Sequence, residues 1–334
     1  MGDRTKISWA EATWSPVTGC TRISDGCLHC YIARTPPIRM AGRTFDGPGI
    51  GATLAVQMHP TRLEQPMRWA RPRRIFVCSQ ADLFHEGVPS EFIARMWAVM
   101  IAAPQHTYLV WTKRPARMRS LLNSSRFRVM IGDAARDMQL PDAGIAAVDV
   151  VVQDSWPLPN VWLGVTAENQ HTADMRIPLL LGTPGAIRFV SAEPLLGPVD
   201  LSALPPRPHA EQAREIPTST WVGALAHASS TTRAAKGDPV TIDWLICGGE
   251  SGPGARPMQL DWARSLRDQC TRLGIAFHFK QWGEWAPDLD PEDPGPAIEG
   301  SVDGTHAMRR VGKNIAGRLL DGQLHDDYPG ESGP

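Results

Sequence analysis

Residues 107–115, TYLVWTKRP, form a short apolar run that stops abruptly at basic side chains. Ala12–Trp14 is a shorter run, and five others resemble the first: IFVCSQADLF (75–84), VWLGVTAEN (161–169), IRFVSAEPL (187–195), WLICGGESG (244–252) and FHFKQWGEW (277–285). Near-continuous apolar runs are typical of parallel strands buried on both faces. Helical patterns lie between several of them, at 89–103, 169–181 and 261–273. We therefore expect an α/β fold, a full or partial TIM-like (β/α) barrel of about seven parallel strands.

The domain is predicted to span residues 1–286, with loop insertions near 132–159 and 202–240. Residues 287–334 are rich in Asp, Gly and Pro, which predicts a poorly structured C-terminal tail. Within the domain, Asp261 is the expected N-cap of the last helix and Gly274 its C-cap.

Three cysteines, Cys20, Cys27 and Cys30, lie within a stretch of eleven residues, with the spacing C-x6-C-x2-C. A disulfide would leave the third thiol over, and structural zinc would need a fourth ligand such as His29. Unliganded thiols are a further alternative. The spacing favours an iron–sulfur cluster, and a [4Fe-4S] cluster on three cysteines leaves one iron open. The other cysteines are scattered and are expected to be buried thiols: Cys78, Cys247 and Cys270.

The chain has 334 residues and a net charge of −1, so its overall charge indicates no polyanionic partner. No charged and then apolar leader precedes Ile7, and no run of 18 apolar residues occurs. We expect a cytoplasmic protein with reduced thiols and no membrane partner.

Polar side chains follow most of the predicted strands, and barrel enzymes place their chemistry at the C-terminal ends of strands. Each could instead serve structure: Glu168 could cap the following helix, and Glu193 and Lys280 could pair with each other. Their repetition at strand ends favours a site, and the candidate catalytic residues are Asp82, His85, Glu168, Glu193 and Lys280.

The glycine-rich segment ICGGESGPGAR, residues 246–256, follows a predicted strand. Such turns can bind phosphate through backbone N–H groups, although this one matches no standard nucleotide motif, and a tight turn explains it equally well. The candidate cofactor-binding residues are Gly248, Gly249, Glu250, Lys113 and Arg256.

Two segments are strongly basic. Residues 62–74 contain five arginines and one acid, and residues 113–128 contain six basic residues and no acid. They could be solvated helices or a phosphate-binding face. The candidate nucleic-acid contacts are Arg71, Arg73, Arg74, Arg114 and Arg117, with Arg68 and Arg119 beside them.

Seven segments carry a resemblance to a known family: ATWSPVTGCTRISDGCLHCY, FVCSQADLFHEGVP, QHTYLVWTKRPARM, NVWLGVTAENQ, RFVSAEPLLGPVDL, DWLICGGESGPGARPM and FHFKQWGEW. Together they resemble the phage-associated three-cysteine-motif family, which is similar to radical S-adenosylmethionine (SAM) enzymes. The resemblance implies a cluster on Cys20, Cys27 and Cys30, use of SAM and an electron donor. The chain departs from the usual C-x3-C-x2-C spacing, and its Gly-Gly-Glu follows the sixth predicted strand rather than the second.

Three functions therefore remain open. The first is a radical-SAM-like enzyme that modifies or repairs a base in DNA or RNA. The second is a nucleic-acid-binding module with a structural zinc or iron–sulfur site and no turnover. The third is a metal-dependent hydrolase that uses Asp82, His85 and Glu193, although no H-x-H or H-E-x-x-H pattern supports it.

Overall fold

The computed structural model describes residues 5–204, 241–287 and 307–330. The chain divides into two compact units. Unit one comprises Met1–Ser24, Ile32–Val165 and Gly182–Arg188, and unit two comprises Asp25–Tyr31, Thr166–Leu181 and Phe189–Pro334. Cys20 therefore belongs to unit one, whereas Cys27 and Cys30 belong to unit two.

The first part of the chain alternates strands and helices. In chain order its elements are β1 (Ala12–Trp14), β2 (Val17–Thr21), α1 (Pro36–Met40), β3 (Thr53–Met58), β4 (Arg74–Val77), α2 (Ser90–Ala102), β5 (Thr107–Thr112), α3 (Pro115–Leu122), α4 (Ser125–Asp137), α5 (Asp142–Asp154) and β6 (Val161–Thr166). Short 3-10 helices occur at Asp25–Cys27, Tyr31–Arg34, Pro60–Arg62 and Gln65–Arg68.

The second part continues the pattern and ends in a two-stranded antiparallel sheet and a short helix. Its elements are α6 (Gln170–Leu181), β7 (Ile187–Ala192), β8 (Trp244–Gly248), α7 (Leu260–Leu273), β9 (Ala276–Gln281), β10 (Trp285–Pro287), β11 (Met308–Arg310) and α8 (Lys313–Ala316), with a 3-10 helix at Leu201–Ala203.

Seven strands form one parallel sheet in the order β1, β4, β5, β6, β7, β8 and β9. The order follows the chain, as expected when each strand returns through a helix or loop to the next. The result confirms the prediction of an α/β fold with about seven parallel strands. The sequence did not indicate the two antiparallel strand pairs, β2 with β3 and β10 with β11.

The strands of the sheet consist mainly of apolar residues because both faces of the sheet are buried. Ile75, Val110, Val190, Leu245 and Phe279 are each at most 1% exposed. Helix α2 buries the face predicted from its 3.6-residue period, including Phe92, Ile93 and Met96. Within the described residues, every helix is too short or too polar to span a bilayer.

Helix α7 confirms one predicted cap and corrects the other. Gly274 ends the helix in the left-handed conformation, with φ 67°. The N-cap is Gln259, so the prediction of Asp261 is wrong. Asp261 lies in the first turn, where its negative charge is favourable beside the positive end of the helix dipole.

The predicted loop insertion at 132–159 is mostly helical. Helices α4 and α5 pack on each other and on α2, and the apolar run 145–152 lies inside α5. A Cβ on Gly144 would lie 3.2 Å from Cβ of Ala102, so the glycine permits close helix packing. The prediction failed because the buried face of α5 is narrow, with Gly144 and Val148 as its buried residues. Most of the second predicted insertion, 205–240, lies outside the described residues.

Part of the predicted tail is packed onto unit two. The indole N–H of Trp244 donates to the carbonyl of Asp327 at 2.8 Å, and that of Trp282 donates to the carbonyl of Leu319 at 2.8 Å. Asp321 accepts hydrogen bonds from Arg264 and from Arg267. These bonds, chiefly the one from Arg264, lower the pKa of Asp321 to about 2. The prediction of a poorly structured tail is therefore wrong for 307–330. Residues 288–306 and 331–334 lie outside the described residues.

Two glycines allow the chain after β8 to touch the chain after β9. A Cβ on Gly249 would lie 1.9 Å from the carbonyl oxygen of Trp282, and one on Gly283 would lie 2.0 Å from that of Glu250. Gly283 also has a positive φ of 87°. Any side chain at these positions would force the two backbone segments apart.

We expect Gly249→Ala to destabilise the protein by about 2–3 kcal/mol, because the new methyl group meets backbone rather than a flexible side chain. Gly49→Ala is the matched control, since a Cβ there meets nothing within 4 Å, and it should change stability by less than about 0.5 kcal/mol. Equilibrium urea unfolding measures both. An unchanged midpoint for Gly249→Ala would contradict the close approach.

Candidate functional site

In unit one, a bulge presents Cys20 beside the end of β4. The pairing of β2 with β3 shifts register between Thr18 and Cys20, as bulges near functional sites often do. Gly19 at the bulge has φ 93°, and a Cβ there would lie 2.1 Å from the carbonyl oxygen of Ala55. Only glycine fits, so the position of Cys20 is fixed by its neighbour.

Asp82 follows β4 and is a fully bonded carboxylate. Its Oδ1 accepts from the hydroxyl of Thr112 at 2.6 Å and from the N–H of Phe84 at 3.0 Å. Its Oδ2 accepts from the N–H of Lys113 at 3.0 Å and from Nη1 of Arg114 at 3.2 Å. Asp82 therefore ties the end of β4 to the end of β5.

Arg114 joins Asp82 to the cysteine bulge. Its Nη1 lies 3.7 Å from Sγ of Cys20, its Nη2 donates to the carbonyl of Thr21 at 3.2 Å, and its Nε donates to Glu86 at 3.1 Å. Burial acts to lower the Arg114 pKa, but Asp82, Cys20 and Glu86 outweigh it and raise the pKa. A permanent positive charge beside Cys20 favours the thiolate form of that side chain.

His85 is held in one tautomer. Its Nδ1 accepts from the N–H of Gly87 at 2.9 Å, so Nε2 carries the proton and donates to Oγ1 of Thr21 at 2.8 Å. Burial, followed by the charge of Arg114, lowers the His85 pKa. Both ring nitrogens are used inside unit one, as are both oxygens of Asp82. This arrangement does not favour a hydrolase metal site on these residues.

In unit two, the segment Asp25–Tyr31 has a defined seat. A Cβ on Gly26 would lie 2.6 Å from Oε1 of Glu168, so the backbone rests directly on that carboxylate. The guanidinium of Arg256 donates to the carbonyl of Asp25 at 2.8 Å. Two contacts from the ends of different strands therefore position Cys27 and Cys30.

Glu168 is almost completely buried and lies 3.3 Å from Nη1 of Arg176, which also donates to the carbonyl of Thr166 at 2.8 Å. Glu168 does not cap α6. The side chain of Asn169 does so, accepting from the N–H of Thr172 at 3.0 Å. Sequence reasoning missed Arg176 and Gly26, since neither lies at a predicted strand end.

Glu250 is buried and forms a two-pronged pair with Arg256. The distances are 2.7 Å from Nη2 to Oε1 and 3.1 Å from Nε to Oε2. The hydrogen bond to Glu250 raises the Arg256 pKa. Nδ1 of His29 lies 3.6 Å from Oε2 of Glu250.

The glycine-rich segment around Glu250 is a tight turn. The N–H of Gly249 donates to the carbonyl of Gln281 at 3.0 Å, and that of Gly252 donates to Glu284 at 3.0 Å. A Cβ on Gly248 would lie 2.6 Å from Oε1 of Glu193. Because the N–H groups of Gly249 and Gly252 are bonded within unit two, the geometry favours the tight turn over a phosphate cradle.

Glu193 and Lys280 form an ion pair, with 2.9 Å between Nζ and Oε1. The sequence allowed this pairing as the structural alternative to a catalytic role. Burial and then the charge of Lys280 lower the pKa of Lys313, a residue that sequence reasoning missed. Unit two thus places Glu168, Glu193 and Glu250 at the ends of β6, β7 and β8, each beside a cation.

The thiols have the chemistry that an iron–sulfur cluster requires. None of the six cysteines forms a disulfide, and Cys20 lies beside a guanidinium that favours the thiolate. Within the described residues, no three His, Cys, Asp or Glu side chains are grouped to hold a metal ion. The three cysteines of the motif are nevertheless of the residue type that ligates iron–sulfur clusters.

A family model described as "Protein of unknown function (DUF5131)" matches residues 4–329. The chain belongs to this family. No curated protein and no solved structure matches it.

The DUF5131 chain uses several predicted nucleic-acid contacts for its own structure. Arg114 is 11% exposed, and Arg117 donates to the carbonyls of His85 and Val88. The guanidinium of Arg73 stacks over Trp69 at 5.0 Å. Arg114 and Arg117 therefore serve the structure of unit one. Arg71 is exposed, Arg74 is half-buried, and Arg68 pairs with Glu64 at 3.7 Å.

In the DUF5131 chain we expect Asp82→Asn to cost about 3 kcal/mol, because it leaves Arg114 buried without its carboxylate. Glu86→Gln is the matched control. Glu86 bonds the same guanidinium but is 70% exposed, so its loss should cost less than about 1 kcal/mol. Urea unfolding of both variants measures the difference, and equal costs would show that the buried pair has no special weight.

Proposed function

We propose that the chain is an iron–sulfur enzyme of the radical-SAM-like class, built on a partial (β/α) barrel. Cys20, Cys27 and Cys30 would hold a [4Fe-4S] cluster. The observation that carries the proposal is the seat of residues 25–31, which Glu168 and Arg256 fix at the C-terminal ends of parallel strands. Barrel enzymes build their active sites at that end of the sheet.

A cluster held by Cys20, Cys27 and Cys30 would leave one iron without a protein ligand and, once reduced by an electron donor, would supply one-electron chemistry to a molecule such as SAM. The residues of the chain do the positioning. Arg114 keeps a positive charge beside Cys20 and fixes the carbonyl of Thr21. Arg256 holds the carbonyl of Asp25. Glu193 and Lys280 offer both charges to a polar ligand.

We infer that the substrate is a base in nucleic acid. The support is the basic segment 62–74, in which Arg71 is exposed and Arg73 lies over an aromatic ring. Arginine suits bidentate contact with phosphate. The hydrolase alternative lacks support because Asp82 and His85 are bonded within unit one.

Anaerobically reconstituted protein should contain about four irons and four sulfides per chain. Cys20→Ser, Cys27→Ser and Cys30→Ser should each lose most of this iron. Cys270→Ala is the control, since Cys270 is buried in α7 outside the motif, and it should retain the iron. Elemental analysis and the optical spectrum measure the outcome. Stoichiometric zinc without iron would contradict the proposal.

Nucleic-acid binding should weaken steeply with salt, because each neutralised phosphate releases counterions. We expect the double variant Arg71→Ala/Arg73→Ala to bind oligonucleotides more weakly and with a salt slope smaller by about 1–2. Arg272→Ala, an exposed arginine of α7, is the control. Fluorescence anisotropy with single- and double-stranded oligonucleotides measures this. An undetectable affinity at low salt would exclude this substrate class.

A further inference from the structure

Beside the β2–β3 pair of unit one, two basic side chains share one buried hydroxyl. Nη1 of Arg43 donates to Oγ1 of Thr18 at 3.1 Å, and Nε2 of His59 lies 2.9 Å from the same atom. Thr18 is 3% exposed, so its hydroxyl fixes both side chains from inside unit one. Sequence reasoning singled out neither Arg43 nor His59.

Arg62 completes this group of side chains, and we call Arg43, His59 and Arg62 together the basic patch. The N–H of Arg62 donates to the carbonyl of His59 at 3.0 Å, and its Nη1 donates to the carbonyl of Ser15 at 3.2 Å. The indole N–H of Trp14, a fully buried residue of β1, donates to the carbonyl of Arg62 at 2.8 Å. The backbone of Arg62 is therefore tied to the sheet.

The basic patch has no carboxylate that neutralises it among the residues that the structure describes. Burial, followed by the charges of Arg62 and Arg43, lowers the pKa of His59. Arginines elsewhere in unit one are paired: Nη2 of Arg136, for example, lies 2.7 Å from Oδ1 of Asp149. Two guanidinium charges gathered around one imidazole repel each other, and features that oppose stability in this way are typical of functional sites.

The basic patch also has N–H donors that the described part of the chain does not use. All three side chains are half-buried. Nε and Nη2 of Arg62 and Nε of Arg43 have no hydrogen-bond partner within the described ranges, and none of these atoms is buried. The hydroxyl of Thr18 accepts from Arg43, so it can donate its own hydrogen to Nε2 of His59, which leaves the ring proton on the accessible Nδ1. These donors are open to solvent and therefore to a ligand.

We propose that the basic patch binds a phosphate group. A guanidinium binds phosphate oxygens through paired N–H groups, and the imidazole N–H supplies a further donor. Because Thr18 and Ser15 already hold Arg43 and Arg62, these side chains lose little freedom when a ligand binds.

The phosphate has two possible sources, a nucleic-acid strand or a small phosphorylated molecule. The first source rests on the proposed function, and it names where the substrate strand is held. Thr18 lies two residues before Cys20, and Arg62 opens the basic segment 62–74 that contains the exposed Arg71. A strand bound at the basic patch would therefore lie beside the cysteine bulge of unit one.

Fluorescence anisotropy with a single-stranded oligothymidylate over a salt series tests the site. Arg62→Ala should bind about three- to ten-fold more weakly at low salt, with a salt slope smaller by about 0.7, because one phosphate contact is lost. Arg62→Lys keeps the charge without the fork, so it should bind more weakly than the wild type but keep the wild-type slope. The matched control Arg136→Ala, which removes an arginine already paired with Asp149, should behave like the wild type. Urea unfolding checks that each variant is folded.

Isothermal titration with inorganic phosphate identifies the source. Binding of the oligonucleotide that depends on Arg62 assigns the basic patch to a nucleic-acid strand. Binding of inorganic phosphate alone that depends on Arg62 assigns it to a small phosphorylated molecule. Either result supports the proposal. Wild-type affinity for both ligands in Arg62→Ala, an equal loss in Arg136→Ala, or no binding of either ligand by the wild type would overturn it.

Iron analysis separates this inference from the proposed function. Arg62→Ala should retain the wild-type iron content, because it removes no candidate ligand of the iron–sulfur cluster. A wild-type chain that holds no iron but binds phosphate through Arg62 would refute the iron–sulfur enzyme and leave the basic patch standing. A chain that holds iron but whose ligand binding does not depend on Arg62 would do the reverse.

Discussion

The ion pair between Glu250 and Arg256 is the interaction on which the position of residues 25–31 depends. Glu250 is 7% exposed, so its charge is tolerable only beside a cation with matching geometry. Arg256 supplies two hydrogen bonds to the carboxylate and has one further N–H for the carbonyl of Asp25. The position of Cys27 and Cys30 therefore follows from the neutralisation of a buried carboxylate at the end of β8.

In unit one, a second arginine neutralises a buried carboxylate in the same way. Arg114 neutralises Asp82 and simultaneously holds the carbonyl of Thr21 beside Cys20. In both units a guanidinium with five donors satisfies a buried carboxylate and still has donors left for a cysteine-bearing segment. Lysine could not replace either arginine, because a single ammonium lacks the fixed fork that reaches two groups at once.

The ends of the strands carry features that work against stability. Cys78 has a strained backbone, and among the described residues the buried Oε1 of Gln80 has no hydrogen-bond partner. The middle of the sheet is instead mainly apolar and buried. Stability thus comes from the strand interiors, and the polar and charged side chains are concentrated at the strand ends.

The sequence by itself determined the seven strands of the parallel sheet, the helices α2, α6 and α7, and the glycine that ends α7, because burial on both faces and the helical period leave local patterns. It also marked the strand-end residues Glu168, Glu193 and Glu250. The sequence did not predict helix α5, because the buried face of that helix is narrow. It also did not predict that residues 307–330 are ordered, because their composition is polar although they pack onto Trp244 and Trp282.

Only the tertiary structure decided which charges pair. The sequence predicted that Arg114 and Arg117 belong to a basic surface. In the structure they instead donate hydrogen bonds inside unit one, to Asp82 and to the carbonyl of His85. Arg256 reaches a carbonyl 231 positions away in the chain. A hydrogen bond depends on distance and angle, which the fold sets between residues remote in sequence. The local sequence shows the charge of a residue, but the packing of the fold determines which neighbouring group pairs with that charge.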